Sequence, residues 1–277
     1  MLLRSLSTQT KEFELILLDN YQNKFKSATE ALNFGGKLAK NDYLMFVHQD
    51  IDFLVDNWLE NAESSLKLIP GLGIAGVAGK TKDGCITNIE HGDPPKPAGT
   101  IQITQVEPVQ TLDECLLIIP KPIFDIVHFD EKVCDDWHLY GVDYCLTAKK
   151  MGYEVCVLPM NLFHRSAGQS LSKSYFKTLN EIQKKWRDDF SILYTTMGDW
   201  KTQTPLYFQS QYYYLLFNYA GERFFMDSSP RLWKSLKILN LMRVGLQSKI
   251  GEVLGMNKIG LKRYITEIKY ISSLKKD

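Results

Sequence analysis

The sequence predicts an α/β fold built on a mostly parallel sheet that is covered by helices. Short, continuous apolar runs, typical of buried strands, occur at 13–18 (FELILL), 43–47 (YLMFV) and 73–79 (GIAGVAG). Residues 27–39 and 57–68, which lie between these runs, carry apolar side chains at helical spacing. Because strands that alternate with helices usually pair in parallel, this order predicts a helix-covered sheet.

Length and composition narrow the class of protein. The 277 residues are enough for one large α/β domain or two small ones. A content of 44% hydrophobic and 23% charged residues excludes disordered, collagen-like and coiled-coil chains. Lys and Arg number 33 against 32 Asp and Glu, a net charge of +1, so we expect no nucleic-acid partner.

The lack of a recognisable targeting signal and the pattern of cysteines favour a cytoplasmic protein. No apolar run approaches the roughly 18 residues that a membrane-spanning helix needs. The first residues, MLLRS, lack the apolar core of a signal peptide. The five cysteines are an odd number without a CxxC pair, which favours reduced thiols over disulfides and disfavours a zinc site.

The second half of the chain predicts further elements of the same kind. These are an edge strand at 102–109, a buried strand at 115–119, a helix at 141–151, a strand at 154–158, a loop at 159–168 that carries His164, and a helix at 172–186.

The last part of the chain differs in composition. Aromatic residues concentrate in 207–225, and 230–277 holds eleven Lys or Arg against three Asp or Glu. The apolar residues of 231–244 fall near one face of a helix, which predicts a basic amphipathic helical extension. Such a face suits an anionic membrane surface, and it equally suits packing on the preceding domain or on a twin subunit.

Polar residues follow the predicted strands where ligands bind in open α/β sheets. Asp19 follows the first run, the segment His48–Asp52 (HQDID) follows the second, and His164 comes later. Carboxylates in this place hold hard divalent cations, which in turn neutralise a diphosphate. Taken singly, Asp19 also fits a turn and Asp52 a helix cap.

These residues resemble a known family. The segments 43–51 (YLMFVHQDI), 58–59 and 73–79 are similar to the nucleotide-sugar half of bacterial family-2-like glycosyltransferases of the GT-A fold. Segments 129–131, 140–144 and 152–159 resemble the acceptor half of that family. The resemblance covers residues 1–190 and implies a GT-A-like domain there, with a helical C-terminal extension at 191–277.

The resemblance also implies roles for the polar residues. Asp19 corresponds to the acid that binds the nucleotide base, and Asp50 to the last acid of the Asp-x-Asp metal motif. His48 takes the place of the first acid in the donor site, while Asp52 offers a second carboxylate. His164 matches the histidine that completes the metal and diphosphate site, so the implied cofactor is Mn²⁺ or Mg²⁺.

Asp143 is the candidate general base. An inverting transfer needs a carboxylate that removes the proton of the acceptor hydroxyl, and the transition state should resemble an oxocarbenium ion. The resemblance places Asp143 in that region, with Asp113, Asp135 and Asp136 as reserves. Asp143 also fits a structural role, as an acid in the first turn of a helix.

The start of the chain departs from the family. The family opens with an inner strand, whereas this sequence begins at Leu2–Leu6, which looks like the helix that follows it. We therefore expect the strands beside the missing one to carry unpaired backbone groups.

The sequence thus favours a glycosyltransferase that uses a nucleotide-diphosphate sugar, most simply a UDP-sugar. Its acceptor is expected to be a surface-polysaccharide or lipid-linked glycan at the inner face of the plasma membrane, with homo-oligomers possible. A catalytically silent nucleotide-sugar-binding or scaffold protein on the same fold is the alternative. An unrelated nucleotide-binding enzyme is disfavoured, because 73–79 has GxxGxxG spacing in place of a glycine-rich phosphate loop.

Overall fold

A computed structural model describes residues 1–166, 171, 173–209 and 212. All of them belong to the first of the two units into which the chain divides, Met1–Leu215. The predicted basic helices at 230–277 and most of the aromatic segment lie outside the described residues. Within the described part of the chain, no helix is both long and apolar enough to cross a bilayer.

Six α-helices and one 3₁₀-helix are described. The helices are α1 (Leu2–Leu6), α2 (Ala28–Leu38), α3 (Trp58–Leu66), α4 (Lys121–Phe124), α5 (Tyr140–Lys150) and α6 (Lys173–Trp186), and the 3₁₀-helix is Leu206–Phe208.

Fourteen strands, many of them short, form four sheets among the described residues. They are β1 (Tyr43–Val47), β2 (Ile51–Asp52), β3 (Leu72–Gly76), β4 (Ala78–Lys80), β5 (Cys85–Thr87), β6 (Ile89–His91), β7 (Lys96–Pro97), β8 (Glu107–Pro108), β9 (Thr111–Leu112), β10 (Leu116–Pro120), β11 (Glu154–Val157), β12 (Leu162–His164), β13 (Ile192–Thr195) and β14 (Gly198–Lys201).

The central sheet has the strand order β1-β10-β3-β11-β8. The α/β class is therefore confirmed, but the strand directions are mixed: β3 and β11 pair in parallel, whereas the other three pairs are antiparallel. A parallel pair needs a long crossover, usually through a helix. The connection between β3 and β10 contains no helix. Accordingly, β10 runs antiparallel to both of its neighbours, β1 and β3.

The remaining strands form three smaller sheets. One has the order β2-β12-β6-β7, another the order β5-β4-β9, and β13 and β14 form a hairpin. His164 is the last residue of β12, so the prediction of a loop at this residue was wrong. The hairpin lies beyond residue 190, where the first predicted domain ends. The Gln110 side chain nevertheless binds it, because its amide NH₂ donates to the Ile192 carbonyl and its oxygen accepts the N–H of Tyr194.

The core lies against the central sheet and α3. Ile51, Trp58, Ala75, Leu116 and Leu158 are fully buried there. The Trp58 indole keeps a hydrogen bond inside this core, because its Nε1 donates to the carbonyl of Asn161 at 3.0 Å.

The first predicted strand is not a strand. Residues 13–18 form no ladder, and the apolar side chains of Phe13, Leu15 and Leu17 are 42%, 53% and 74% exposed. The predicted buried strand here was wrong: β1 is the outermost strand of the central sheet, and among the described residues no strand pairs with residues 13–18. The predicted edge strand at 102–109 shortens to β8.

Helix α2 shows how local sequence and packing agree. Ser27 caps it by accepting the backbone N–H of Glu30 at 3.2 Å, and the Glu30 carboxylate accepts the N–H of Lys26 at 2.7 Å. Near its end, Gly36 packs against the fully buried ring of Phe124, where a side chain would overlap the ring. The absence of a Cβ at Gly36 therefore allows α2 to approach α4.

Gly36→Ala and Gly35→Ala form a matched pair that tests this close approach. Both sites are buried in the same helix, where alanine is favoured over glycine by about 1 kcal/mol. An added Cβ at Gly36 meets the rigid Phe124 ring, whereas at Gly35 it meets the Leu18 Cδ1 atom at 3.0 Å, the end of a flexible side chain. We expect Gly36→Ala to lower the free energy of unfolding by about 1–3 kcal/mol and Gly35→Ala to leave it nearly unchanged. Urea unfolding measures both, and equal effects would contradict the packing.

Candidate active site

A cavity of about 1080 Å³ runs from the end of β1 towards the amino-terminal segment. It is as large as the upper range of small-molecule sites. Its walls change character along its length. One end is lined mainly by apolar side chains with charged residues at its rim, and the other gathers the ionisable side chains of His48, Asp50, Asp113, Glu114, His138 and His164.

The antiparallel pairing of β1 and β10 assembles this polar end. Val47, the last residue of β1, lies opposite Leu116, the first residue of β10. The next residue, His48, donates its backbone N–H to the carbonyl of Cys115 at 2.9 Å. The two acids that precede Cys115 therefore lie beside the residues that follow β1.

Strand β12 brings the second histidine to the same place. Its last residue, His164, pairs with Ile51 of β2. The backbone N–H of the next residue, Arg165, donates to the Asp50 carbonyl at 3.0 Å. His164 and Asp50 thus become neighbours although they are 114 positions apart in the chain.

His48, Asp50 and His164 form a three-residue group with the chemistry of a metal site. Their ligand atoms all lie within 4.8 Å of one another. His164 Nε2 is 3.3 Å from Asp50 Oδ1, and Asp50 Oδ2 accepts the backbone N–H of Ser166 at 3.2 Å. Two imidazoles and one carboxylate are a known donor set for a divalent cation, and they leave coordination positions open.

The environment of His48 favours its neutral form. Protein atoms around the ring, and secondly the nearby His164, lower the pKa of His48, although Asp113 and Asp50 oppose the shift. The ring remains accessible from the cavity, and its Nε2 atom is 3.4 Å from the Tyr140 hydroxyl. A neutral imidazole is the form that can ligate a metal.

Asp113 and Glu114 line the cavity beside this group but are held differently. The Asp113 carboxylate accepts the Cys115 N–H at 3.1 Å and the Thr196 hydroxyl at 2.9 Å, so the β13–β14 hairpin helps to orient it. Glu114 accepts the backbone N–H of Gly141 at 2.9 Å. It therefore anchors the start of α5.

The Glu114 carboxyl is surrounded by protein atoms, and the backbone that binds it is strained at Leu139. Loss of solvent around the carboxyl, with a smaller contribution from Asp113, raises the pKa of Glu114 to about 8, although the N–H groups of residues 139–141 work against this. The residue before α5, Leu139, has a φ of +65°, a left-handed conformation that non-glycine residues rarely adopt. This turn directs successive N–H groups towards the carboxyl group.

Sequence reasoning did not select Glu114 and placed Asp113 only among the reserves. It followed the carboxyl ends of parallel strands, whereas these acids lie just before the amino end of an antiparallel strand. Two consecutive acids directly before the buried run 115–119 were the available signal. Recognising it required knowledge of the direction of β10.

Two other predicted site residues lie apart from the three-residue group. Asp52 is in β2, where it pairs with Phe163, and it does not line the cavity. Asp19 is exposed and accepts the N–H of Tyr21 at 2.8 Å, while its neighbour Asn20 lines the cavity. The roles of Asp19 and Asp52 stay predictions.

Asp143 lies in α5 with its carboxylate turned into protein. The residue is 2% exposed, and its two oxygens accept hydrogen bonds from Lys185 Nζ and Trp186 Nε1, each at 2.7 Å. Burial raises the pKa of Asp143, and both donors partly offset the shift. Burial also opposes the charge of Lys185, but Asp143 and Asp130 outweigh it and raise the pKa of Lys185. Asp143 as the general base stays a prediction.

The other two acids considered as alternative bases, Asp135 and Asp136, interact with neighbouring groups near the surface. Asp135 pairs with Lys177, and Asp136 accepts the backbone N–H of Trp137. Neither of the two lines the cavity.

Comparison with known proteins agrees with the resemblance noted in the sequence. Residues 3–188 match the family described as the Glycosyltransferase like family. The match covers more than half of the chain and includes every residue of the three-residue group, together with Asp113, Glu114 and Asp143. No protein of curated function matches the chain.

Lys185→Met tests whether the Asp143 ion pair is structural. The change leaves a buried carboxylate with Trp186 as its remaining donor, so we expect a loss of about 1–3 kcal/mol in the free energy of unfolding, less than for a fully buried pair because Lys185 is partly exposed. Lys184→Met, which removes the exposed pair with Glu181, is the matched control and should cost at most about 0.5 kcal/mol.

The pH dependence gives this test a second readout. Without Lys185 the pKa of Asp143 rises further above its unfolded value of about 3.9. A carboxyl with a raised folded-state pKa keeps its proton when folded, so the penalty is absent below the unfolded pKa and grows as the pH rises towards the folded pKa. The difference between wild type and variant should therefore be larger at pH 7 than at pH 4.5, and a pH-independent difference would contradict the assignment.

Proposed function

The chain belongs to a glycosyltransferase-like family, and from this premise we propose that it transfers a sugar from a nucleotide-diphosphate sugar to an acceptor hydroxyl. The proposed donor is a UDP-sugar, the acceptor a surface-polysaccharide or lipid-linked glycan, and the transfer inverts the anomeric centre. The observation that carries the proposal is the group of His48, Asp50 and His164 at the polar end of a large cavity.

The donor set fits the metal that the family resemblance implies. Asp50 supplies a hard carboxylate oxygen, and the two histidines supply imidazole nitrogens, which suit Mn²⁺ better than Mg²⁺. We therefore propose that His48, Asp50 and His164 hold Mn²⁺. When bound, the cation would offset the negative charge of the leaving diphosphate.

Asp113 is the carboxylate that geometry favours as the general base. It lines the cavity and is the acid whose charge acts most strongly on His48, whereas Asp143 is buried and paired. In the proposed step, Asp113 accepts the proton of the acceptor hydroxyl while that oxygen bonds to the anomeric carbon. The bond from that carbon to the diphosphate oxygen breaks on the opposite face, and the nucleoside diphosphate leaves.

The alternative function is nucleotide-sugar binding without transfer. It is favoured by one observation: part of the cavity wall is segment 13–18, whose backbone pairs with no described residue. Donor binding without turnover would support this alternative over an active transferase.

Asp50→Asn tests the metal group, and Asp52→Asn two residues further on is its matched control. Because Asp50 supplies the carboxylate of the group, we expect Asp50→Asn to weaken Mn²⁺ binding by at least about tenfold. Asp52→Asn should leave Mn²⁺ binding unchanged. Calorimetric titration with Mn²⁺ measures this directly, and the UDP-induced rise in melting temperature in the presence of Mn²⁺ should fall in parallel.

Two results would overturn the metal assignment. One is unchanged Mn²⁺ affinity in Asp50→Asn while the circular dichroism spectrum stays native. The other is a greater loss in Asp52→Asn, which would show that the acid two residues later is the ligand.

Asp113→Asn and Asp143→Asn separate the two candidate bases. With a panel of UDP-hexoses and water as acceptor, we expect Asp113→Asn to lower kcat by about 10²–10⁴-fold with little change in donor KM. Asp143→Asn should mainly lower the melting temperature. A natively stable Asp143→Asn that loses turnover, beside an active Asp113→Asn, would assign the base to Asp143 as the resemblance implies.

A further inference from the structure

The β13–β14 hairpin reaches the polar end of the cavity. Its strands pair up to Thr195 opposite Gly198, so the tip of the hairpin consists of Thr196 and Met197. Both tip residues and Thr195 line the cavity. The hairpin lies outside residues 3–188, so the family match assigns it no role.

The body of the hairpin is fixed to the elements around it. Thr111 of β9 donates its hydroxyl to the Tyr194 carbonyl, and the Gln183 amide of α6 donates to the Lys201 carbonyl at 2.9 Å. The side chain of Trp200, in β14, is fully buried. Contacts from two different elements and a buried indole therefore determine where the tip lies.

The tip holds one oxygen of the Asp113 carboxylate. Thr196 donates its hydroxyl to Asp113 Oδ2 at 2.9 Å, and the backbone N–H of Cys115 donates to Oδ1 at 3.1 Å. The hairpin thus anchors one oxygen, and the segment that leads into β10 anchors the other. An ionised carboxylate has about four lone-pair sites, so both oxygens can still accept a further donor.

The turn itself does not need the Thr196 hydroxyl. Its neighbour Thr195 donates its own hydroxyl to the Gly198 carbonyl at 3.0 Å and accepts the Trp200 Nε1–H at 3.3 Å. The Thr196 carbonyl accepts the Cys85 thiol at 3.9 Å. Other groups therefore close and hold the turn, whereas the Thr196 hydroxyl is directed to a carboxylate 83 positions away in the chain.

We propose that Thr196 is a positioning residue, whose hydroxyl holds the Asp113 carboxylate in the orientation that receives the proton of the acceptor hydroxyl. This role rests on the proposed function, in which Asp113 is the general base. Thr196 keeps its own proton, and no covalent bond to it forms or breaks during the transfer. Because a hydrogen bond to a charged carboxylate is stronger than one to a neutral carboxyl, Thr196 also favours the ionised form that the step requires.

The proposed role makes the hairpin part of the catalytic unit. A general base must lie within about 2.6–3.2 Å of the hydroxyl that it deprotonates. An acceptor hydroxyl bound in this way is also beside the hairpin tip, because Thr196 Oγ1 is 2.9 Å from the same carboxylate. The site thus extends past residue 190, where the first predicted domain ends.

Thr196→Val and Thr196→Ser test the role of the hydroxyl. Valine replaces it with a methyl group of similar size, whereas serine keeps the hydroxyl and loses only the methyl group. Hydrolysis is measured with the full chain, Mn²⁺, a panel of UDP-hexoses and water as acceptor. We expect Thr196→Val to lower kcat by about 10–100-fold with donor KM nearly unchanged, since a misplaced base slows the chemical step without weakening donor binding. Thr196→Ser should keep kcat within about threefold of wild type.

Thr202→Val controls for a loss of hairpin stability. The Thr202 hydroxyl, just beyond β14, donates to the Phe190 carbonyl at 2.6 Å, and this residue does not line the cavity. We expect Thr202→Val to lower the melting temperature and to leave kcat unchanged below that temperature. A purely structural role of Thr196 predicts instead that the two valine variants lose kcat alike.

A signal that needs no substrate reports the orientation of Asp113. Its carboxylate accepts the Cys115 N–H, and such a charge-assisted bond shifts the resonance of the amide proton that it engages. Labelling the five cysteines with ¹⁵N gives five amide signals, and Cys115→Ser identifies the relevant one. We expect Thr196→Val to move this signal towards its position in Asp113→Ala, and Thr196→Ser to leave it in place.

The two readouts must change together. The proposal requires that kcat falls and that the Cys115 signal moves in Thr196→Val but not in Thr196→Ser, so a change in only one readout overturns it. An equal loss of kcat in Thr196→Ser or in Thr202→Val also overturns it, because packing of the hairpin would then be the requirement.

A failure of the proposed function gives a different result. Retained turnover in Asp113→Asn would show that another group is the base, and it would overturn the catalytic role of Thr196 whatever the Cys115 signal does. In a wild type without turnover, the Cys115 signal decides alone. An unmoved signal in Thr196→Val then overturns the positioning of Asp113, and a moved signal supports it.

Discussion

The antiparallel pairing of β1 with β10 positions most of the groups at the candidate site. It brings the acids before β10 to the end of β1, so that Asp113 and Glu114 lie beside His48. The same pairing uses the backbone groups of alternate residues of β1, and the groups of the other residues have no partner among the described residues. One ladder therefore assembles the polar end of the cavity.

Burial divides the carboxylates of the chain into different roles. Asp143 is enclosed, forms an ion pair with Lys185 and accepts a hydrogen bond from Trp186, which ties α5 to α6. Glu114 faces the cavity but accepts the backbone N–H of Gly141, so it holds the first turn of α5 in position. Asp50 and Asp113 remain accessible from the cavity. Accessibility, more than position along the chain, decides which acids can meet a substrate or a cation.

Much of the fold could be predicted from local pattern. The strand at 43–47, the helix at 141–151 and the helix at 172–186 correspond to β1, α5 and α6, because each carries a clear apolar period of its own length. The buried strand at 13–18 could not be predicted correctly, because an apolar run becomes a strand only where a neighbour can pair with it. His164 was expected in a loop, yet it ends β12, whose pairing with β2 and β6 is nonlocal.

The α/β class and the family resemblance can be read from the sequence, because short apolar runs and the residues that follow them are local features. The same local reading selected Asp19, His48, Asp50, Asp52 and His164 as candidates without separating those that come together from those that do not. The direction of β10, the burial of Asp143 and the separation of Asp52 from the three-residue group appear only in the folded chain. These depend on which strands become neighbours. Pairing partners are chosen by the free energy of the whole sheet and core, and that choice leaves no mark within a single segment.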